Sequence, residues 1–202
     1  MRRTRHQVLT EFRTEEILAA AARVFGEKGF ERATVEDIAR EAGVAKGTVY
    51  LYFASKGEVY RAAFARYVVE LKQRALAALE SAERAEDAIR AFVETKLSYL
   101  DAHLGFFSVY QTESWSEIGR GSGLQALIEA SSREQVTRMA QLLTDAMESG
   151  AVRTVPAEAA AWAIFDLTRA AVRRRMRGEP SGSVADDAAF TADLMWKGLA
   201  LR

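Results

Sequence analysis

The sequence predicts an all-α protein of about nine helices, and three observations support this fold class. Alanine, leucine, glutamate and arginine, all strong helix formers, dominate the 202 residues. No segment alternates apolar and polar residues as a half-buried strand does, whereas apolar residues recur throughout at helical spacing. The two prolines, Pro156 and Pro180, fall where helices are expected to begin or end.

Composition narrows the class of protein further. The chain contains no cysteine, which excludes disulfide bonds and thiolate metal sites and fits a reducing compartment. No apolar run approaches the roughly 20 residues that span a bilayer. The formal net charge is 0, so overall charge does not indicate a nucleic-acid partner. We expect a cytoplasmic protein with no membrane contact, no metal and no cofactor.

The N-terminal segment 1–13 is basic, with arginines at positions 2, 3, 5 and 13. Two interpretations remain open. The segment is either a solvated tail or an arm that lies along DNA phosphates or reaches a minor groove. The first helix is predicted to begin at Thr14 and to end at Gly29. Phe30 is then expected to fold back against it.

The next two helices are short and amphipathic. Thr34 can cap the first of them, and Asp37 three residues later completes a box-like pair of capping groups. Gly43 supplies the left-handed residue that ends this helix. The following helix, about Lys46 to Phe53, is expected to bury Val49 and Phe53. This pattern predicts a helix-turn-helix.

The outward residues of the third predicted helix have the chemistry of a DNA-reading surface. The lysine ammonium and the tyrosine hydroxyls can donate hydrogen bonds to phosphate oxygens. Thr48 can touch a base edge, and Gly47 lets a duplex approach the backbone. Ser55 and Glu58 form a second capping pattern, and Lys56 lies at a helix N-terminus that favours phosphate.

The strings ATVEDIAREA and GVAKGTVYLYFASKGE resemble the DNA-binding motif of the TetR family of transcriptional regulators, and the resemblance is sharp over about residues 17–60. Beyond these residues, the chain resembles the family only in the layout of its helices. The resemblance implies a three-helix DNA-binding domain, residues 1–54, and a helical ligand-binding and dimerisation domain, residues 55–202. The predicted DNA-binding residues are Thr34, Lys46, Gly47, Thr48, Tyr50, Tyr52 and Lys56.

The rest of the chain is predicted to form longer helices. The fourth, Ser55 to about Leu79, would span roughly 37 Å and can connect the two domains as a lever. An aromatic stretch from Phe106 to Trp115 and a glycine-rich loop follow the fifth helix. The seventh to ninth helices are predicted at about 124–149, 156–177 and 186–199.

The last two helices are more apolar than one buried face requires. They either pack on the preceding helices or form a homodimer through a four-helix bundle made by both chains, and the resemblance implies the dimer. Four arginines crowd the end of the eighth helix, at positions 173, 174, 175 and 177. They either complement the helix dipole or make a second contact with DNA.

Aromatic and polar residues of the C-terminal region can line a small-molecule pocket, which the resemblance also implies. For any single residue, ordinary core packing is the alternative. A fatty-acyl-like molecule is one candidate effector. The predicted ligand-binding residues are Tyr99, His103, Phe106, Phe107, Tyr110, Gln111, Trp115, Trp162, Phe165 and Arg169.

The sequence argues against an enzyme, because it has only two histidines, His6 and His103, and no HExxH, GxSxG, GxGxxG or phosphate-loop motif. We therefore expect a ligand-responsive repressor that binds a palindromic operator in double-stranded DNA as a dimer and is released by a small, largely apolar effector. Two alternatives remain open. They are an effector-independent DNA-binding protein whose C-terminal domain only dimerises, and a helical small-molecule carrier or enzyme.

Overall fold

A computed structural model describes residues 5–111, 123–179 and 182–200, with only the backbone at residues 5, 6, 8 and 111. The described residues confirm an all-α fold of nine α-helices. These are α1 (Arg5–Arg32), α2 (Val35–Glu41), α3 (Lys46–Tyr52), α4 (Lys56–Glu80), α5 (Ala85–Ala102), α6 (Leu104–Ser108), α7 (Leu124–Glu148), α8 (Ala157–Met176) and α9 (Val184–Leu199). A short 3-10 helix, Val109–Gln111, follows α6. Within the described residues, none of the helices combines the length and apolar character needed to cross a membrane.

The first helix begins nine residues earlier than predicted. The Thr14 hydroxyl donates a hydrogen bond to the Thr10 carbonyl at 2.9 Å, so it lies inside α1 and does not cap it. The reason is local, because no glycine or proline interrupts the chain between Arg5 and Thr14. Most of the segment predicted as a tail or arm is therefore helical, while Arg2 and Arg3 lie outside the described residues.

The predicted stop at Gly29 is confirmed as a kink near the end of α1. Gly29 has φ 73°, a left-handed value that side chains disfavour, and a last helical turn follows it. Phe30 folds back and stacks on Phe25, with the ring centroids 5.6 Å apart. This contact brings the chain into position for α2.

The helices pack into two compact units. The first consists of the described residues up to Tyr67 together with those from His103 to Gln125, and the second contains Val68–Ala102 and the residues from Ala126 onward. Helix α4 contributes residues to both units. The first unit thus extends beyond the segment 1–54 that was predicted as the DNA-binding domain.

Aromatic packing explains this extension. Tyr60, Phe64 and Tyr67 on α4 meet Phe106 and Phe107 on α6, with ring centroids 5.1–6.2 Å apart. Tyr60 also meets the ring of α1's Phe25 edge-on, at 5.2 Å between centroids. Burial raises the pKa of Tyr60. These rings join α1, α4 and α6 in one core.

Two glycines let α1 and α6 touch through their backbones. A Cβ atom placed on Gly105 would overlap the carbonyl oxygen of Gly26. Only glycine at position 105 permits this approach, so a side chain there would push α6 away from α1. Helix α6 is accordingly held against α1 of its own unit.

The second unit has a core made by α5, α7, α8, α9 and the C-terminal part of α4. Helix α5 packs most extensively against α9. The largest fully buried side chains of this core share the inner faces of α5 and α7, and they are Ile89, Phe92, Val93, Leu97, Met139 and Leu143. Arg153 N donates to Leu199 O at 3.0 Å, which fastens the segment before α8 to the end of α9.

A buried ion cluster ties α5, α8 and α9 together. The Asp187 carboxylate, whose side chain is 0% exposed, lies 2.7 Å from both Arg174 Nη2 and Arg175 Nη1. Arg175 Nε also lies 2.8 Å from Asp101 Oδ1, and hydrogen bonds to Asp101 and Asp187 raise the pKa of Arg175. Two of the crowded arginines therefore hold helices together, which neither interpretation drawn from the sequence included.

Candidate nucleic-acid interface

The helix-turn-helix forms as predicted, through local capping bonds. Thr34 Oγ1 accepts a hydrogen bond from Asp37 N at 3.1 Å, and Asp37 Oδ2 accepts one from Thr34 N at 3.1 Å, which together make a complete capping box at the start of α2. The Lys28 ammonium, 2.8 Å from Asp37, and the Thr34 hydroxyl lower the pKa of Asp37 to about 2. The carboxylate thus stays charged at physiological pH.

The turn between α2 and α3 follows from Gly43, which has φ 65°. Val44 N donates to Ala39 O at 2.9 Å and Gly43 N donates to Arg40 O at 3.1 Å, the hydrogen-bond pattern that ends many helices. Helix α3 then buries Val49 and Phe53, which are 0% and 7% exposed. These contacts fix which face of α3 points outward.

The outward face of α3 carries most of the predicted DNA-binding residues. Lys46, Gly47 and Tyr50 are exposed, while Thr48 and Tyr52 are half-buried. Gly47 has nothing within 4 Å of the position where a Cβ atom would lie. The backbone of α3 is therefore open to a large partner at this point.

Leu51 is a residue of this face that the sequence analysis missed. It is 82% exposed, the most exposed of the large apolar side chains described. Its exposure could have been predicted from helical geometry. Leu51 lies two residues after the buried Val49, a rotation of about 200° around the helix axis. An exposed leucine beside Tyr50 suits apolar contact with a base or a thymine methyl group.

The lysine at the start of α3 forms only a weak, solvent-exposed ion pair. Lys46 Nζ lies 3.7 Å from Glu36 Oε2, and both side chains are more than half exposed. Exposed pairs of this kind contribute about 0–1 kcal/mol, so a phosphate can take the place of the glutamate at little cost. Lys46 is thereby available to DNA.

Lys56 is placed differently from the prediction. Its ammonium donates to the carbonyls of Phe30, Ala33 and Glu31 at 2.8, 3.0 and 3.3 Å and lies 4.4 Å from the centre of the Phe30 ring. Cations at helix C-termini compensate the exposed carbonyls. The side chain therefore fastens α4 to the end of α1 and is not presented to a phosphate.

The predicted ligand-binding residues divide between the two units. In the first, His103 meets Tyr67 edge-on at 4.8 Å and Tyr110 stacks on Phe64 at 5.0 Å between ring centroids. Phe106 and Phe107 belong to the aromatic core described above. Only the backbone of Gln111 is described, and Trp115 lies outside the described residues.

In the second unit, Tyr99, Trp162, Phe165 and Arg169 lie on α5 and α8. Trp162 meets Phe165 edge-on at 5.9 Å, and Arg169 lies 3.5 Å from Asp166. The Arg74 guanidinium lies 5.2 Å from the centre of the Tyr99 ring.

Lys96, a residue that the sequence analysis missed, lies among these side chains with its ammonium 3.8 Å from the centre of the Phe165 ring. A signal for it exists in the sequence, because Lys96 continues the apolar stripe of α5 at helical spacing from Phe92.

Comparison with known proteins identifies the N-terminal helices. Residues 17–63 match the model of the bacterial regulatory proteins of the tetR family, over the helices whose geometry is described above. This segment of the chain is a DNA-binding domain of the TetR family. The function of the chain is therefore that of a DNA-binding regulator of transcription.

The match to related proteins extends beyond α2 and α3. The chain is 26% identical over 151 residues to YhgD of Bacillus subtilis, an uncharacterized HTH-type transcriptional regulator, covering 75% of this chain and 78% of the relative. It is 33% identical over 103 residues to the transcriptional repressor KstR2 of Rhodococcus jostii, covering 50% of each chain. Both are named as regulators and neither as an enzyme.

A solved structure shares the fold of both units. The regulator FadR of Bacillus subtilis, determined in complex with stearoyl-CoA, superposes with a TM-score of 0.71 and 21% identity, covering 91% of this chain and 98% of that one. At this identity the likeness establishes the architecture of both units.

The open backbone at Gly47 leads to a first prediction. Gly47→Ala should raise the free energy of unfolding by about 0.5–1 kcal/mol, because alanine favours the helix and meets no neighbour. If α3 enters the major groove as predicted, the same change should weaken operator binding roughly tenfold, since the new methyl group would lie between α3 and the duplex. Urea denaturation and fluorescence anisotropy measure the two effects. Ser98→Ala, at an exposed site on α5, is the control and should leave DNA affinity unchanged.

Proposed function

We propose that this TetR-family protein is a ligand-responsive repressor, which binds a palindromic operator as a homodimer in the cytoplasm and is released by a small, largely apolar effector. The single observation that carries the proposal is the outward face of α3. Its lysine, glycine, tyrosine and leucine are exposed, while Val49 and Phe53 anchor the opposite side. A rigid helix that presents this chemistry suits a major groove.

A homodimer through α8 and α9 is supported by apolar side chains left in solvent. Leu167 on α8 is 45% exposed, and Phe190 and Leu194 on α9 are 61% and 56% exposed. Alanines and a glycine line the groove beside them, which permits close helix approach. A symmetric pair of chains covers this surface and supplies two helix-turn-helix motifs, one for each half-site of the operator.

The effector response is supported by the location of the aromatic candidates. His103, Phe106, Phe107 and Tyr110 belong to the same compact unit as α2 and α3. A change in the packing of these rings on effector binding would alter the core that holds α2 and α3. An effector shifts DNA affinity only to the extent that it binds the two conformations differently. The stearoyl-CoA bound by FadR makes a fatty-acyl-like effector the first to test.

The second prediction tests DNA recognition. Operators selected from random duplexes at low salt should bind the wild-type dimer, and the double variant Lys46→Ala/Tyr50→Ala should lose roughly 100-fold or more in affinity, since each helix-turn-helix loses two contacts. Arg84→Ala is the matched control, because it removes an exposed cation at the N-terminal end of α5. Unchanged affinity of the double variant would contradict the proposed reading face.

The same complex tests dimerisation and release. Sedimentation of the full chain at micromolar concentration should give the mass of a dimer, whereas a monomer would contradict the proposed interface. Titration of the operator complex with decanoyl-CoA and with decanoate should release DNA for at least one ligand. A complex that neither ligand shifts would favour an effector-independent DNA-binding protein.

A further inference from the structure

Lys96 is a lysine in the core of the second unit. The residue is 4% exposed, and its ammonium lies 3.8 Å from the centre of the Phe165 ring and 5.0 Å from that of Phe92. It donates one hydrogen bond, to Gln135 Oε1 at 3.0 Å. Gln135 Nε2 in turn donates to Ser131 O at 2.9 Å, which fixes the orientation of the amide.

The charge of this lysine lacks a counter-ion. Within the described parts of the chain, no carboxylate oxygen lies within 4.0 Å of Lys96 Nζ, and the nearby Asp166 pairs with Arg169. An ammonium has three donors, and buried lysines are rarely left without a paired carboxylate. Burial, together with the charge of Arg169, lowers the pKa of Lys96 to about 7, although Asp166 opposes this change.

We propose that Lys96 is the anchor for a carboxylate at the head of an otherwise apolar effector. The inference deepens the function proposed above and rests on it. An incoming carboxylate supplies the missing counter-ion and accepts the remaining donors of the ammonium. Phe92 and Phe165, together with Trp162 beside them, provide apolar surface for the neighbouring part of the ligand.

The geometry favours a head group with one charge. Lys96 is the single buried cation among the described residues of this cluster, and Gln135 is the polar group that faces it. Phosphate groups carry more charge and are usually held by several cations or by backbone N–H groups. Arg169, which could add a second cation, is more than half exposed and already pairs with Asp166.

The third prediction tests this anchor in the full-length protein with three probes that share one chain: decanoate, 1-decanol and decanoyl-CoA. Calorimetry should show decanoate binding the wild type about tenfold or more tightly than 1-decanol, because only decanoate forms the ion pair. Lys96→Met should abolish this difference. Lys72→Met, which removes a lysine paired with Glu134 at the surface of the same unit, should preserve it.

A second readout does not depend on the stability of the methionine variant. In wild-type protein labelled with [13Cε]lysine, decanoate should raise the pKa of Lys96, and 1-decanol should not. Lys96→Gln identifies the signal. Decanoate that leaves this pKa unchanged, that binds wild type and Lys96→Met equally, or that does not bind at all would overturn the anchor.

Operator affinity separates the anchor from the proposed function. Decanoate that binds through Lys96 but leaves DNA affinity unchanged would support the anchor and contradict the effector role. Release of DNA by decanoyl-CoA with no binding of decanoate would support the effector role and contradict the anchor.

Discussion

Replacing Asp187 with alanine is expected to lower the free energy of unfolding by about 3–5 kcal/mol, the cost typical of breaking a buried ion cluster by removing one partner. The Asp187 side chain is completely buried and accepts hydrogen bonds from Arg174 and Arg175, each at 2.7 Å. Its loss leaves two guanidinium groups facing each other with one remaining carboxylate, that of Asp101. Helices α5, α8 and α9 all lose part of their attachment.

Urea denaturation at constant pH measures this change in the free energy of unfolding. Asp193→Ala is the matched control, because Asp193 pairs with Lys197 on the exposed side of the same helix and should change stability by less than about 0.5 kcal/mol. Equal effects of the two substitutions would show that the Asp187 cluster contributes little. A lower cost for Asp187→Asn than for Asp187→Ala is expected, since the amide still accepts one hydrogen bond.

Replacing Lys96 with methionine is expected to raise the free energy of unfolding, the opposite of the effect of Asp187→Ala. The increase should be largest at low pH. The pKa of Lys96 is about 7 in the folded chain and 10.5 in the reference state. Between these values the unfolded chain binds a proton that the folded chain does not. Wild-type stability therefore gains about 1.4 kcal/mol per pH unit from this group as the pH rises from 7 towards 10.

Below pH 7 the lysine is protonated in both states, so the whole cost of burying the charge is present. At pH 6 the free energy of unfolding of Lys96→Met should be about 3–5 kcal/mol higher than that of the wild type. This difference should shrink towards zero near pH 10. The charged neighbours, Arg169 and Asp166, are common to both proteins. Urea denaturation of both chains at several pH values gives the difference, and one that does not vary with pH would contradict a buried, titrating lysine.

The helix-turn-helix could be predicted almost residue by residue because its determinants are local. Thr34 and Asp37 cap each other across three residues, and Gly43 ends α2. Val49 marks the inner face of α3 through helical periodicity alone. The predicted start of α1 was wrong because Thr14 resembles a capping residue, although no residue before it would stop a helix. The DNA-contacting roles of these side chains stay predictions.

Contacts between distant parts of the chain could not be predicted in the same way. Asp101 and Arg175 are 74 residues apart, and Lys96 and Gln135 are 39 apart, so no spacing rule connects them. The ligand-binding candidates were grouped by aromatic content, whereas packing divides them between two units. Lys56 was assigned to DNA from its position at a helix start, but three carbonyls of another segment take its ammonium.

The close approach of Gly26 and Gly105 bears on how hybrid regulators should be built. A chimera joined at residue 54 would pair the native α1 with a foreign α6, and any side chain larger than hydrogen at the position of Gly105 would collide with it. The transplantable part of this protein is discontinuous. It comprises the residues up to Tyr67 and the segment that begins at His103, and both must be exchanged together to carry a new DNA specificity.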